Sequence, residues 1–205
     1  MTGKSASGKD SIATELVNRI DKIVRYIPYT TRPRRSHEVD GRDYHFISVS
    51  ELEELGKAGK VIESRNYNTI HGPWTYATID DFDSHSNVLM IGTLESYKSV
   101  RESMGADRVK GVYIECPDGV RLQRALDREK SEEPPKYKEM CRRFLADEED
   151  YSTEKIKDAA VDRVFRNDDL NHCVDKIEDF IKSCLYQSEK SGCIFLLIII
   201  SIEFI

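Results

Sequence analysis

Apolar residues fall at helical spacing directly after Lys9, with Ile12, Leu16, Val17 and Ile20 on one face, and residues 22–27 then have the composition of a strand. The alternation returns further along. Residues 88–91, 109–115 and 163–165 read as strands, and residues 94–104, 118–129 and 170–185 as amphipathic helices. Strands alternating with helices predict an α/β fold, a parallel sheet flanked by helices on both faces. Between Thr30 and Asp83 the pattern changes to short aromatic strand candidates at 44–47, 61–67 and 74–78, a small β-rich insertion. Residues 130–138, KSEEPPKYK, are polar, carry Pro134 and Pro135, and separate two helical stretches as a mobile loop. The expected organisation is a core of residues 1–31 and 84–192 that includes a helical lid at 126–150, an insertion at 32–83, and an atypical apolar tail at 193–205.

In the tail, Cys193 to Ile202 contain Ser201 as the only polar residue. A bilayer-spanning helix needs about 20 apolar residues, so this run is too short for an ordinary span. Its richness in Ile and Phe suits a strand buried on both faces. Two readings stand: the tail supplies the sheet's first strand in circularly permuted order, or it is a disordered, aggregation-prone extension of a chain truncated at its amino end.

Composition narrows the classes of function. A net charge of −6 disfavours a nucleic acid polymer as partner, since no basic stripe spans the chain. Arginines concentrate instead between Arg32 and Arg42 and between Arg121 and Arg143, as a small phosphorylated ligand requires. The five cysteines lack metal-clip spacing and read as reduced packing residues. No secretory signal opens the sequence, so the cytoplasm is the expected compartment, with no membrane association. Oligomeric state is not encoded in any of these features.

The strongest local motif is GKSASGK, Gly3 to Lys9, which fits GxxxxGK immediately before an amphipathic helix. Such a loop cradles phosphates through inward-pointing amides and the positive end of the helix, with the lysine reaching the β and γ phosphates of ATP. Gly3, Ser5, Ser7, Gly8, Lys9, Asp10 and Ser11 are the candidate ATP contacts. The residue after the lysine ordinarily carries the hydroxyl that ligates Mg²⁺. Here that residue is Asp10, which makes Ser11 the candidate metal ligand.

The segment YTTRPRRSHEVDGRDYHF, Tyr29 to Phe46, resembles the signature of the guanylate kinase family, TTRxxRxxExxGxDYxF. The resemblance implies that Arg32 and Arg35, with Tyr44, hold the acceptor phosphate. Residues 62–78, IESRNYNTIHGPWTYAT, resemble the family's base-binding segment, which carries over Glu63, Tyr76 and Thr78. A glutamate carboxylate can accept from two N–H groups of guanine, and a hydroxyl at Thr78 can meet the guanine carbonyl. In VLMIGTLESYKS, residues 88–99, Ile91 and Thr93 stand where the family places aspartates, with Thr93 the acceptor-site position and Glu95 a nearby substitute carboxylate. Residues 118–151 resemble the family lid. Arg128 and Arg143 match its catalytic arginines, whereas Arg121, Arg124 and Arg142 suit helix salt bridges. RNDDL, Arg166 to Leu170, resembles the adenine-side loop and adds Asn167 to the ATP contacts.

The resemblance runs from Gly3 to Leu185 and implies Mg²⁺-dependent phosphoryl transfer from ATP to GMP, with ATP and GMP as the partners. Two rivals stand beside it: a kinase for another small phosphate ester, such as another nucleotide or ribose 1,5-bisphosphate, and a binding module without catalysis. Retention of Lys9, Arg128 and Arg143 speaks against the second.

Overall fold

A computed structural model describes residues 3–35, 38–69, 72–82, 86–191 and 196–199. The chain begins with α1 (Lys9–Arg19), β1 (Ile23–Arg25), β2 (Tyr29–Thr30), β3 (His45–Phe46), α2 (Val49–Lys57) and the long strands β4 (Val61–Thr69) and β5 (Gly72–Ile79). There follow β6 (Asn87–Ile91), α3 (Leu94–Met104), β7 (Val109–Glu115), α4 (Asp118–Lys130), α5 (Tyr137–Asp150) and α6 (Thr153–Asp158). The last elements are β8 (Arg163–Arg166), α7 (Leu170–Ser191) and β9 (Leu196–Ile199).

Five parallel strands form the main sheet in the order β1-β6-β9-β7-β8. Successive side chains along a strand point to opposite faces. Leu89, Val112, Ile114 and Leu197 accordingly pack on one side with Ile12, Leu16, Val174 and Ile177 of α1 and α7. Val88, Met90, Val109, Tyr113, Leu196 and Ile198 pack on the other with Leu94, Tyr97 and Val100 of α3 and with Tyr151. Close approach of α3 needs Gly111, because a Cβ there would lie 2.4 Å from the Tyr97 ring. The expected α/β architecture, a parallel sheet flanked by helices, is the one observed.

The central strand is β9. It pairs with β6 from Val88↔Leu196 to Ile91↔Ile199 and with β7 from Val109↔Leu196 to Val112↔Ile199. Leu196, Leu197 and Ile198 are all at most 1% exposed, which is what an unbroken apolar run needs. The sheet position beside the P-loop is thus filled by the segment that follows α7. The rest of the tail, Cys193 included, lies outside the described residues.

A second, four-stranded sheet of order β3-β2-β5-β4, in which β4 and β5 are antiparallel, combines strands of the expected insertion at 32–83 with β2, which precedes that boundary. The insertion's helix α2 is absent from the strand candidates read off the pattern. The signal was present: Ser48 and Glu51 form a capping box, each side chain meeting the other's backbone N–H.

Candidate active site

The P-loop backbone follows from where its glycines lie. Ala6 and Gly8 both take left-handed geometry, with φ of 59° and 91°, which curls the loop into a concave nest of amides at the start of α1. A Cβ at Gly8 would stand 2.4 Å from Asn167 Nδ2, and one at Gly3 would stand 2.3 Å from the Ile114 carbonyl oxygen. Only glycine fits at either place. Asn167 Nδ2 donates to the Ser7 carbonyl at 2.7 Å, so Asn167 supports the loop from beneath, a role its place in RNDDL did not suggest. Ser7 Oγ is buried without a hydrogen-bond partner among the described residues. A buried orphan hydroxyl in an amide nest is the donor a phosphate oxygen would satisfy.

Lys9 is buried, and its Nζ donates to the Lys4 carbonyl at 3.0 Å. Loss of solvent pushes its pKa down to about 8, partly offset by the negative charges of Asp10 and Asp147. Asp10 and Ser11, next along α1, are exposed, and Asp10 Oδ1 accepts from Arg25 Nη2 at 3.1 Å.

From the other side, α4 and α5 close on the loop. Arg121 is fully buried. It donates to Asp118, to Asp147 at 2.8 Å and to the Ser5 carbonyl at 3.1 Å, and it lies over the Phe144 ring. Asp147 accepts in turn from the Ser5 amide at 2.7 Å and from Ser5 Oγ at 3.2 Å. Arg121 thus makes the helix salt bridge expected of it and also fastens the P-loop to α5. Arg124 differs from expectation: its Nη1 meets Cys116 Sγ at 3.4 Å and lies beside Gly8, against the phosphate loop rather than in an ion pair on its own helix. Arg128, one turn later, is exposed and near enough to Lys9 to oppose its charge. Arg142 and Arg143 both bind Glu139, three and four residues back on α5, at 2.7 and 3.0 Å. Those guanidinium groups hold the Glu139 carboxyl down at about 2.

The insertion gathers the acceptor candidates on its sheet. Arg32 is buried between aromatic rings, with its guanidinium over Tyr44 and Phe46 and its Nε donating to Tyr76 Oη at 2.9 Å. Both of its Nη atoms donate to Glu38, which also accepts from the Arg35 amide at 2.8 Å. Hydrogen bonding from Arg32 keeps the Glu38 carboxyl below its ordinary range. Arg35 itself is exposed beside this clamp.

Glu63 lies deeper. Its Oε1 accepts from Thr78 Oγ1 and from Ser96 Oγ, both at 2.8 Å, and its Oε2 accepts from Arg65 Nε at 3.2 Å. Thr93 caps α3, its Oγ1 accepting from the Ser96 amide at 3.1 Å and from Arg65 Nη1 at 3.3 Å. The structure therefore brings Glu63, Thr78 and Thr93 together and adds Arg65 and Ser96, which sequence reasoning passed over. Arg65 could have been found from its place two residues after Glu63, on the same face of a strand. Glu95 stays exposed in the first turn of α3, outside this cluster.

A glycine-rich loop that opens a helix beside the inner strands of a parallel sheet, a buried lysine and a pair of arginine-bearing helices packed on the loop define a P-loop phosphotransferase. The sequence model of guanylate kinase matches residues 1–184, and the chain belongs to that family. It is similar to a guanylate kinase of Nitratidesulfovibrio vulgaris, 27% identical over 175 residues that cover 84% of this chain and 80% of that protein. It is also similar to a guanylate kinase of Thermotoga maritima, 40% identical over 86 residues, 42% of this chain and 40% of that protein. Among solved structures, the guanylate kinase of Anaplasma phagocytophilum shares the fold, with a TM-score of 0.58 at 20% identity over 89% of this chain and 83% of that one. The family is one of ATP-dependent nucleoside monophosphate kinases, and its reaction moves the terminal phosphoryl group of ATP onto GMP. No helix among the described residues is long and apolar enough to cross a membrane.

Proposed function

We propose that this chain carries out that transfer with the P-loop as donor site and the insertion as acceptor site. The observation that carries the reading is the buried Lys9 in an amide nest whose Ser7 hydroxyl has no hydrogen-bond partner among the described residues. Gly3, Ser5, Ser7, Gly8 and Lys9 would hold the ATP phosphates, with Asn167 keeping the loop in shape. Arg32 and Arg35, with Tyr44 and Tyr76, would fix the acceptor phosphate. Glu63 would accept from the guanine N1–H, Thr78 would turn its hydroxyl to the carbonyl, and Thr93 would line the same pocket. Arg128 and Arg143 would meet the charge that spreads over the moving phosphoryl group, Arg143 by leaving Glu139 as the lid closes. No covalent intermediate with the enzyme is required. In-line positioning, exclusion of water and charge neutralisation suffice. The compartment consistent with this reaction is the cytoplasm.

Mg²⁺, held by residues at the start of α1, would neutralise charge on the ATP phosphates. The residues present fit it: Mg²⁺ usually takes one or two protein oxygens beside phosphates and water, and Asp10 and Ser11 both offer oxygen at the start of α1. Because Asp10 is engaged by Arg25, Ser11 is assigned as the ligand. Ser11→Ala should therefore raise the Mg²⁺ concentration for half-maximal rate more than Asp10→Asn does. The opposite order in a magnesium titration assigns the carboxylate instead.

The test of the acceptor assignment is steady-state turnover with GMP, AMP and ribose 1,5-bisphosphate in wild type and Glu63→Gln. The amide leaves buried donors poorly paired, at a cost of about 1–3 kcal/mol, or roughly 5- to 150-fold in affinity. GMP affinity should fall by that amount while ATP affinity holds. Equal loss for both nucleotides would make Glu63 a purely structural residue.

A further inference from the structure

The hydrogen-bonded cluster around Glu63 contains a cation that guanine recognition does not call for. Arg65 donates through Nε to Glu63 Oε2 and through Nη1 to Thr93 Oγ1, while Thr78 and Ser96 both donate to Glu63 Oε1. A carboxylate offers about four lone-pair directions, and three donors already converge on this one. Arg65 and Glu63 are both largely buried, with side-chain exposures of 17% and 7%, so the arrangement is held in the protein interior rather than on open surface.

The pairing edges of the bases differ in what they bring to such a cluster. Guanine presents a carbonyl, the N1–H and the 2-amino group. Once the Thr78 hydroxyl turns from Glu63 to the base carbonyl, guanine would set its 2-amino group against the Arg65 guanidinium, donor facing donor. An imide edge presents a carbonyl, one N–H and a second carbonyl. Its single N–H meets Glu63, one carbonyl meets the Thr78 hydroxyl turned from Glu63, and the other meets Arg65, so no donor faces a donor. Unpaired donors in a buried site are what such pockets reject most strongly.

Resting on the kinase reading above, we infer that Arg65 is a specificity-determining residue that opens the acceptor site to nucleoside monophosphates with an imide edge, beside GMP. The class comprises xanthine among purines and uracil and thymine among pyrimidines. Arg65 acts by contact with the base carbonyl and by holding Glu63 and Thr93 at a fixed spacing.

The experiment measures kcat/KM with ATP and each of GMP, XMP, UMP, dTMP and IMP, for wild type, Arg65→Ala and Arg65→Lys. IMP, which has only hydrogen at C2, separates loss of the amino group from gain of the oxygen. In wild type, XMP or the two pyrimidine nucleotides should turn over within about tenfold of GMP, and the two arms show whether the pocket takes a purine or a pyrimidine. Arg65→Ala should lower the imide-to-GMP ratio by about tenfold or more, Arg65→Lys should fall between, and the KM for ATP should hold. Turnover of GMP without any imide nucleotide overturns the inference and leaves the kinase reading intact. A ratio unchanged in Arg65→Ala also overturns it, since it would mean that guanine turns its own carbonyl to Arg65. If no acceptor is turned over, the kinase reading fails. Calorimetric titration of the same monophosphates then decides the inference by the same ratio.

Discussion

Lys9→Ala should lower ATP-dependent transfer by on the order of 10³-fold or more, because the charge that follows the migrating phosphoryl group is removed. The fold should survive. Burial lowers the Lys9 pKa from 10.5 to about 8, so between those values the folded chain binds fewer protons than the unfolded chain. Stability linked to this group therefore rises with pH across that window and is lost as pH falls toward 8. Alanine removes the desolvated charge, so the variant should melt no lower than wild type at pH 7 and should lack the gain between pH 8 and 10. Near-normal turnover would exclude the P-loop mechanism, and a much lower melting temperature would make Lys9 a packing residue.

Deleting residues 193–205 should abolish the cooperative fold. Three aliphatic side chains of β9, Leu196, Leu197 and Ile198, are buried in the middle of the main sheet. At about 1.5–3 kcal/mol each, their burial is comparable with the whole stability of a typical domain. The deletion also strips β6 and β7 of a shared hydrogen-bonding partner. Ile198→Asp, which keeps the chain length, should have the same sign of effect by placing an unpaired charge in the core. Thermal unfolding and the near-ultraviolet spectrum report both changes. Improved solubility with unchanged activity in the deletion would show that β9 is dispensable.

Much of the architecture was legible because its signals are local. The amphipathic spacing of α1, the apolar strands at 88–91 and 109–115 and the glycines of the P-loop each express a backbone need within a few residues, and the structure places all of them as read. Glu63, Thr78 and Thr93 were legible as residue types in a recognisable order, and the fold links them through Ser96 and Arg65 in one hydrogen-bonded cluster. The helix α2 was missed although its capping box is written in Ser48 and Glu51. Aromatic, β-prone neighbours on both sides masked it.

By itself, then, the sequence determined the class of fold, the phosphate loop and the family, since each depends on spacing along the chain. Tertiary structure alone decided what depends on contact between distant segments. It chose between two readings of the tail, because only the gap between β6 and β7 gives an apolar run burial on both faces. It turned Asn167 under the P-loop and set Arg124 beside Gly8. It also drew Ser96 to Glu63 and Arg65 to Thr93, 33 and 28 positions apart in the chain. Side-chain polarity in a pocket is a sum over neighbours that the fold assembles, and no single segment of sequence contains that sum.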